Sequence, residues 1–144
     1  MSIRFNAVIA AGTALALTAC ATTTDNEPVD AAAKKLLDSL EPTGETRQCL
    51  NITRVRQIRP VTERLFLVRA GVSDYYRTEI RGRCNGATRQ GNRLQYRTAI
   101  TQICGGQIVQ IIDNNSGFTQ GSCAFGSFER MAPKEDAGDE GADS

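Results

Sequence analysis

Alternation of apolar and polar residues dominates the middle of the chain and predicts β-strands. The clearest case is residues 93–100, where every second position is apolar or Thr: Leu94, Tyr96, Thr98 and Ile100. The positions between them include two arginines, so this predicted strand has one apolar and one basic face. Residues 64–70 contain four apolar residues in succession and predict a more fully buried strand.

Weaker strand patterns occur at four further places in the same region: 50–58, 75–80, 107–113 and 124–130. Turn-forming dipeptides rich in Gly, Asn and Pro separate the segments, such as Asn85-Gly86 and Gly91-Asn92. Short strands at this spacing within residues 47–130, without an internal repeat, favour an all-β fold. We therefore predict a small antiparallel barrel or sandwich of about six strands.

A short amphipathic helix is predicted before this domain. Asp30 is a suitable N-cap, and apolar residues recur on one helical face: Ala33, Leu36, Leu37 and Leu40. Pro42 and Gly44 end the pattern. Because a helix of about ten residues is marginally stable alone in water, we expect it to pack on the domain that follows. A helix that binds a partner or a membrane surface is the alternative.

The start of the chain has the pattern of an export signal. Arg4 precedes an apolar run over residues 7–17, which is shorter than the roughly 20 residues needed to span a bilayer. The run ends in Leu17-Thr18-Ala19-Cys20, which resembles the bacterial lipobox, where the signal is cleaved before the Cys and the thiol is acylated. Cys20 is therefore the predicted lipidation site, and ordinary secretion without a lipid is the alternative. In lipoproteins of this kind, an Asp directly after the lipidated Cys favours retention in the inner membrane. Ala21 stands at that position, so the resemblance implies that the protein lies on the periplasmic face of the outer membrane.

The predicted organisation has four parts: a lipoprotein signal peptide at 1–19, a lipid anchor, tether and short helix at 20–46, a β-domain at 47–130 and a disordered acidic tail at 131–144. Formal charge is distributed unevenly among them. The whole chain carries +1, but the β-domain has thirteen Arg, no Lys and five acidic residues, which gives +8. The segments 21–46 and 131–144 each carry −4.

The basic β-domain predicts a partner of negative charge. Arginine makes bidentate contacts with phosphate and carboxylate groups, and the candidate anion-binding residues are Arg54, Arg56, Arg93 and Arg97. The predicted partners are a membrane, through the lipid anchor, and an anionic envelope component or envelope protein. Nucleic acid is not expected, because few aromatic residues lie among the arginines and the compartment is wrong. The alternative is a solvated strand face whose Arg stems cover apolar surface.

Four cysteines remain once Cys20 is assigned to the lipid: Cys49, Cys84, Cys104 and Cys123. An even number in an exported chain predicts two disulfide bonds, and three pairings are possible. We favour Cys49 with Cys123, because closure of a barrel places the first and last strands side by side, and Cys84 with Cys104, which flank the hairpin at Gly91. The intervals between successive cysteines are 35, 20 and 19 residues, so no close pair of the kind that binds zinc is present. We expect no metal and no cofactor.

The chain contains no His, which excludes catalytic triads and metal sites that depend on imidazole. A thiol nucleophile likewise has no His partner. We therefore predict a protein that is not an enzyme. The alternative is a hydrolase that uses a pair of carboxylates from among Glu63, Asp74 and Glu79.

Short motifs around the four cysteines resemble an uncharacterised family of small exported proteobacterial proteins, which is classed as a domain of unknown function. The motifs are residues 49–58, Cys84-Asn85-Gly86, Ile103-Cys104-Gly105-Gly106-Gln107-Ile108 and Ser122-Cys123-Ala124-Phe125-Gly126-Ser127-Phe128. Asn85 and Gln107 stand where we expect Pro and Asp in the family. The resemblance covers residues 48–130 and implies export, β-structure and paired cysteines, but no activity.

These features predict a periplasmic lipoprotein with a binding or structural role in the cell envelope, acting through its basic face. A small inhibitor or regulator of an envelope enzyme is the alternative, similar in plan to the disulfide-bonded lipoprotein inhibitors of lysozyme. A loop that presents acids or Ser to a catalytic cleft would support that alternative.

Overall fold

The computed structural model describes residues 27–135. The predicted signal peptide, the lipidation site Cys20 and residues 136–144 of the predicted acidic tail lie outside the described residues. Within them, one helix precedes nine strands, and seven of these strands form a single curled antiparallel sheet. The all-β prediction is therefore confirmed.

The elements follow the chain in the order α1 (Ala31–Asp38), β1 (Leu40–Arg47), β2 (Cys49–Asn51), β3 (Val55–Pro60), β4 (Leu65–Ala70), β5 (Asp74–Arg81), β6 (Asn92–Tyr96), β7 (Gln102–Cys104), β8 (Ile108–Asp113) and β9 (Thr119–Pro133). In the main sheet, the neighbours are β3, β4, β5, β9, β8 and β6 in that order, and β1 also pairs with β9. All of these pairs are antiparallel. Strands β2 and β7 form a separate two-stranded ribbon.

The inner face of the curled sheet carries the main hydrophobic core. Phe125 on β9 is fully buried, and its ring contacts Phe66, Tyr96 and Phe128 at centroid distances of 6.3, 6.2 and 5.8 Å. Aromatic pairs of this kind add about 0.5–1.5 kcal/mol each to the burial of the rings. Because β4 and β6 lie in opposite halves of the strand order, these rings join the two halves of the sheet around one core.

Helix α1 covers the outer face of the sheet and forms a second buried cluster with it: Ala33, Leu40, Val61, Leu67 and Met131. Strand β4 is therefore buried on both sides. Its Phe66 and Val68 belong to the inner core, while Leu67 between them packs under the helix. This double burial explains why residues 65–68 are apolar without alternation.

The predicted helix is confirmed, and it packs on the domain as expected. The Asp30 carboxylate accepts hydrogen bonds from the N–H groups of Ala32 and Ala33 at 3.0 and 2.9 Å. The bond from Ala33 is the largest cause of the lowered pKa of Asp30. The Asp30 N–H donates to the Val61 carbonyl at 2.9 Å, which ties the helix to the turn between β3 and β4. Leu40 begins β1 instead of continuing the helical face.

Strand β1 was not expected, because seven of its eight residues are exposed and no alternation marks it. Backbone pairing with β9 holds it in place, from Leu40 opposite Pro133 to Arg47 opposite Phe128. Residues 46 and 47, between which the domain boundary was predicted, therefore lie within one strand.

Three predicted strands differ clearly in extent from those observed. A turn at 52–54 divides the predicted strand 50–58 into β2 and β3, and Asn51 Oδ1 accepts the Thr53 N–H there at 2.9 Å. The predicted strand 93–100 ends at Tyr96, so Thr98 and Ile100 lie in the following loop. The predicted strand 124–130 is the middle part of the longer β9, which begins at Thr119 and continues to Pro133. The first two differences change which arginines share a surface.

Strand β9 pairs with different neighbours along its 15 residues, and its register with β5 is irregular near Gly126. Residues 119–124 of β9 pair with β8, and residues 128–133 pair with β1. The register between β5 and β9 shifts between Thr78 and Ile80, next to Gly126. A Cβ atom on Gly126 would collide with the carbonyl oxygen of Glu79, so no larger residue fits without movement of β5.

The four cysteines form two disulfide bonds, but the predicted pairing is wrong. Cys49 is bonded to Cys104, and Cys84 is bonded to Cys123, with Cα atoms 4.0 and 5.2 Å apart. Cys49 is the first residue of β2 and lies directly opposite Cys104 in the separate β2–β7 ribbon. Closure of the main sheet therefore does not bring Cys49 to β9. Cys84 follows β5, whose Arg81 lies opposite residue 124 of β9, and this register brings Cys84 to Cys123.

Candidate functional site

The two end strands of the main sheet, β3 and β6, face each other across an open seam. Among the described residues, β3 pairs only with β4 and β6 only with β8. One groove of about 400 Å3, here named the seam groove, is lined by Val55, Arg56, Gln57, Ile58 and Pro60 of β3, by Asn92, Arg93, Leu94 and Tyr96 of β6, and by Ala87. Ligand sites commonly have volumes of about 300–1,000 Å3.

Backbone groups of β6 also face the seam groove. In an antiparallel pair, only every second residue directs its N–H and C=O toward the partner strand. The Asn114 N–H donates to the Gly91 carbonyl at 2.9 Å, so the backbone groups of Gly91 face β8. Along the β6–β8 register, every second residue counted from Gly91 also faces β8. Leu94 and Tyr96 therefore direct their N–H and C=O groups away from β8, toward the seam.

The facing edge of β3 is less regular. The Val61 N–H donates to the Leu65 carbonyl at 2.8 Å, and the resulting alternation directs the backbone groups of Ile58 toward the seam. Pro60 has no N–H to donate, and the register shifts between Val55 and Gln57. One wall of the groove is therefore a regular strand edge, whereas the other has an interrupted hydrogen-bonding pattern.

The floor of the seam groove is apolar. Five of its residues are partly buried and pack against the inner core: Val55, Ile58, Ala87, Leu94 and Tyr96. The Tyr96 ring meets Phe125 edge to face, with 70° between the ring planes. Burial raises the pKa of the Tyr96 hydroxyl, so it is a neutral hydrogen-bonding group at pH 7.

The charged groups of the seam groove are all positive. Arg56 and Arg93 are exposed side chains, one from each wall, and no acidic residue lines the groove. Arg93 donates a hydrogen bond of 2.8 Å to the neutral amide of Asn114. Within residues 27–135, neither arginine has a carboxylate within salt-bridge distance. Their charges are therefore available to an anion.

The four arginines predicted to bind an anion do not form one cluster. Arg56 and Arg93 meet at the seam groove, although they lie on opposite ends of the sheet order. Arg54 lies in the turn before β3 and pairs with Asp74 at 3.1 Å, so it does not share a strand face with Arg56. Arg97 lies beyond the end of β6 and lines a second pocket of about 550 Å3. That pocket also contains the exposed side chain of Ile108.

The loop 82–91 forms one end of the seam groove, because Ala87 lies in it. The disulfide bond of Cys84 with Cys123 fixes this loop to β9. The Asn92 Nδ2 group donates to the Gly86 carbonyl at 2.8 Å, which holds the loop against the start of β6. The groove therefore has a covalently restrained end.

Glu63 supports the same loop from the turn between β3 and β4. Its carboxylate is buried and accepts hydrogen bonds from the Gly86 N–H at 2.7 Å and from Arg83 Nε at 2.6 Å. Burial, the largest single influence, would raise the pKa of Glu63, but these two bonds and the positive charges of Arg83 and Arg89 together lower the net pKa. Glu63, one of the three candidate catalytic carboxylates, therefore has a structural contact that its sequence spacing does not predict.

The other two acids considered for hydrolysis lie in separate surroundings. Asp74 pairs with Arg54 at 3.1 Å and with Arg130 at 3.3 Å. Glu79 is exposed and lines a different pocket, together with Arg77. They are five residues apart on β5, which corresponds to about 16 Å at the usual rise of a strand. The structure therefore does not bring these two carboxylates together.

Comparisons with family models, with curated proteins and with solved structures find no match to this chain. Within residues 27–135, no helix has the length and apolar character to cross a membrane. In the same part of the chain, no group of three or more His, Cys, Asp and Glu side chains is arranged to hold a metal ion. The seam groove, in which Arg56 and Arg93 share one cavity with apolar side chains, is the feature from which we infer a function.

Proposed function

We propose that this protein is a lipid-anchored binding protein of the bacterial cell envelope, and that its seam groove binds an anionic partner. The observation that carries the proposal is the meeting of Arg56 and Arg93 across the groove without an acidic residue beside them. Exposed arginines without a carboxylate partner attract anions over a distance and bind carboxylate or phosphate by paired N–H donors.

The apolar floor adds a second requirement for the partner. Leu94 and Tyr96 contribute apolar surface to the same groove as the two arginines, so a ligand with both anionic and apolar groups fits better than a simple inorganic ion. Burial of apolar surface contributes about 25 cal/mol per Å2, whereas exposed charge pairs contribute less than about 1 kcal/mol each. The floor and the two arginines would therefore each contribute to affinity, and the arginines would also select for negative charge.

The proposed location rests on the sequence around Cys20 and on the two disulfide bonds. Disulfides persist in exported proteins and are rare in the bacterial cytosol. The anchor is tested by expressing the full chain and its Cys20→Ser variant and following membrane fractions and radiolabelled fatty acid. We expect lipid incorporation only in the parent chain. A mature parent protein that is soluble and free of lipid would contradict the anchor.

The groove is tested with matched pairs of arginine substitutions in the full chain. Arg56→Gln/Arg93→Gln removes two charges from the seam groove, and Arg69→Gln/Arg81→Gln removes two from exposed positions on β4 and β5 that do not line it. The probes are poly-L-glutamate and phosphatidylglycerol vesicles. We expect the groove variant to bind the preferred probe about tenfold more weakly and the control to change by less than about twofold. Equal binding by both variants would contradict the proposal.

A further inference from the structure

We infer that the partner is an extended, acidic segment of another protein, which adds as a strand to the free edge of β6. This inference rests on the proposed function and names the partner of the same groove. Strand addition supplies main-chain hydrogen bonds, and the alternate side chains of the added strand provide selectivity.

The edge of β6 has what strand addition needs. Leu94 and Tyr96 direct their N–H and C=O groups toward the seam, and their register with β8 is unbroken over all five residues of β6. The strand contains no Pro. An unpaired edge with regular donors and acceptors is a template for pairing with another chain.

The edge of β3 is not suited to the same role. Pro60 lacks a donor, and the register shift between Val55 and Gln57 interrupts the spacing of the exposed groups. Because the six neighbouring strands alternate in direction, β3 and β6 run antiparallel to each other. A strand that is antiparallel to β6 is therefore parallel to β3. We expect it to pair with β6 and to contact β3 mainly through side chains.

The side chains of β6 specify the sequence of the added strand. Residues opposite Leu94 and Tyr96 would lie over the apolar floor, so they should be apolar. Residues opposite Arg93, on the other face, should be acidic, because Arg93 has no acidic partner and Arg56 adds a second positive charge across the groove. The matching segment alternates acidic and apolar residues.

The same backbone groups argue against a lipid acyl chain in the groove. The N–H and C=O groups of Leu94 and Tyr96 have no protein partner among the described residues, so water must solvate them. A hydrocarbon chain laid along β6 would displace that water without replacing its hydrogen bonds, which is costly. A peptide strand replaces those bonds with its own N–H and C=O groups.

The test uses the full chain and a seven-residue peptide of alternating Glu and Val, with Glu at both ends and capped termini. One derivative carries N-methyl groups on its three Val residues, whose N–H groups are expected to bond to β6. A control derivative carries three N-methyl groups on Glu residues, whose N–H groups point away from β6. Both derivatives keep every charge and every side chain of the parent peptide.

We expect methylation of Val to weaken binding at least about tenfold and methylation of Glu to change it by less than about threefold. Hydrogen exchange of the Leu94 and Tyr96 amides should slow by at least about tenfold when the parent peptide binds. The exchange measurement is independent of the peptide variants, and it requires no substitution in the folded chain.

Three results would overturn the inference. If both derivatives bind like the parent peptide, or if the Leu94 and Tyr96 amides stay unprotected, the peptide is held by charge alone. If phosphatidylglycerol vesicles bind, if that binding depends on Arg56 and Arg93, and if the peptide does not bind, the partner is a lipid. Each of these leaves the anionic groove in place. The anion-binding role proposed for the groove fails if binding of no anionic probe depends on the two arginines.

Discussion

The Glu63 carboxylate accepts a 2.7 Å hydrogen bond from the Gly86 N–H, and this bond joins the turn between β3 and β4 to the loop at one end of the seam groove. The Cys84 N–H donates to the Glu63 carbonyl at 2.9 Å, so the same residue also supports the disulfide-bonded cysteine. A buried carboxylate with these partners couples the stability of the fold to the shape of the groove.

Substitution of Glu63 tests this coupling. Glu63→Ala removes the carboxylate that accepts hydrogen bonds from the Gly86 N–H and from Arg83 Nε, so we expect a loss of about 2–3 kcal/mol in the free energy of unfolding. Glu63→Gln keeps an oxygen acceptor for Gly86 but removes the charge, and it should cost about half as much. Urea unfolding of the three proteins at pH 7 measures both values. Equal stability of Glu63→Ala and the parent would contradict the role of the carboxylate.

The lowered pKa of Glu63 predicts the direction of its pH dependence. The pKa lies below its ordinary value of 4.5 in the folded chain, so the ionised carboxylate stabilises the fold at pH values above 4.5. That contribution is lost as the pH falls below 4.5 through the folded pKa. The stability difference between the parent and Glu63→Gln should therefore shrink in acid. A difference that is constant from pH 7 to pH 3 would contradict this assignment.

Peptide mapping of the oxidised protein is expected to join Cys49 to Cys104 and Cys84 to Cys123. The bonds span 55 and 39 residues, so the chain-entropy model assigns about 4 kcal/mol of stabilisation to each. Only the second bond holds the loop that ends the seam groove. The Cys84→Ser/Cys123→Ser variant should therefore lose affinity for the anionic probe as well as stability.

The matched control for that variant is Cys49→Ser/Cys104→Ser, which opens the β2–β7 ribbon away from the groove lining. It should lose a similar amount of stability while its affinity changes by less than about twofold, measured where both variants are folded. Equal loss of affinity in the two variants would show that the disulfide of the loop has no special part in shaping the groove.

Gly126 is predicted to be the least replaceable glycine of β9. A Cβ atom there collides with the Glu79 carbonyl, which is backbone and cannot rotate away as a side chain would. We expect Gly126→Ala to destabilise the fold by about 3 kcal/mol or more, because β5 and β9 must separate locally. Ser127→Ala, the neighbouring half-buried position, is the control and should cost less than about 0.5 kcal/mol. Similar unfolding midpoints for the two variants would contradict the close approach.

Sequence patterns predicted those elements whose own side chains record which faces are buried. The capped helix follows from Asp30 and its apolar spacing, and β4 follows from the apolar run at 65–68. Strand β1 escaped prediction because only Leu40 in it is buried, so its formation depends on the partner strand β9. The alternation that predicted β6 also extended it too far, since residues 98 and 100 continue the pattern without a partner strand to pair with.

The disulfide pairing and the two arginines of the groove depend on how the sheet curls and closes. They could not be predicted from the spacing of residues in the sequence. The disulfide pairing requires the knowledge that Cys49 belongs to a ribbon outside the main sheet. The meeting of Arg56 and Arg93 requires the order of six strands and the curl that brings the two end strands together. Neither follows from composition, because all four candidate arginines lie in similarly polar segments of the chain.

Removal of the acidic segment 136–144 tests whether its negative charge affects the electrostatic potential around the seam groove. The cut falls after residue 135 because β9 continues to Pro133, and the Lys134 N–H donates to the Ser39 carbonyl at 3.0 Å. It removes Asp136, Asp139, Glu140 and Asp143 and no basic residue. The remaining chain is more positive, so we expect stronger binding of poly-L-glutamate at 10 mM salt, where charges interact over about 30 Å.

The gain should largely disappear at 150 mM salt, where screening limits the interaction to about 8 Å. A control chain in which the four acids are replaced by Asn and Gln has the same length as the parent and should bind like the truncated chain. If truncation strengthens binding and the neutral control does not, the segment acts through its bulk and not its charge. If neither change affects binding at low salt, the acidic segment does not influence the potential at Arg56 and Arg93.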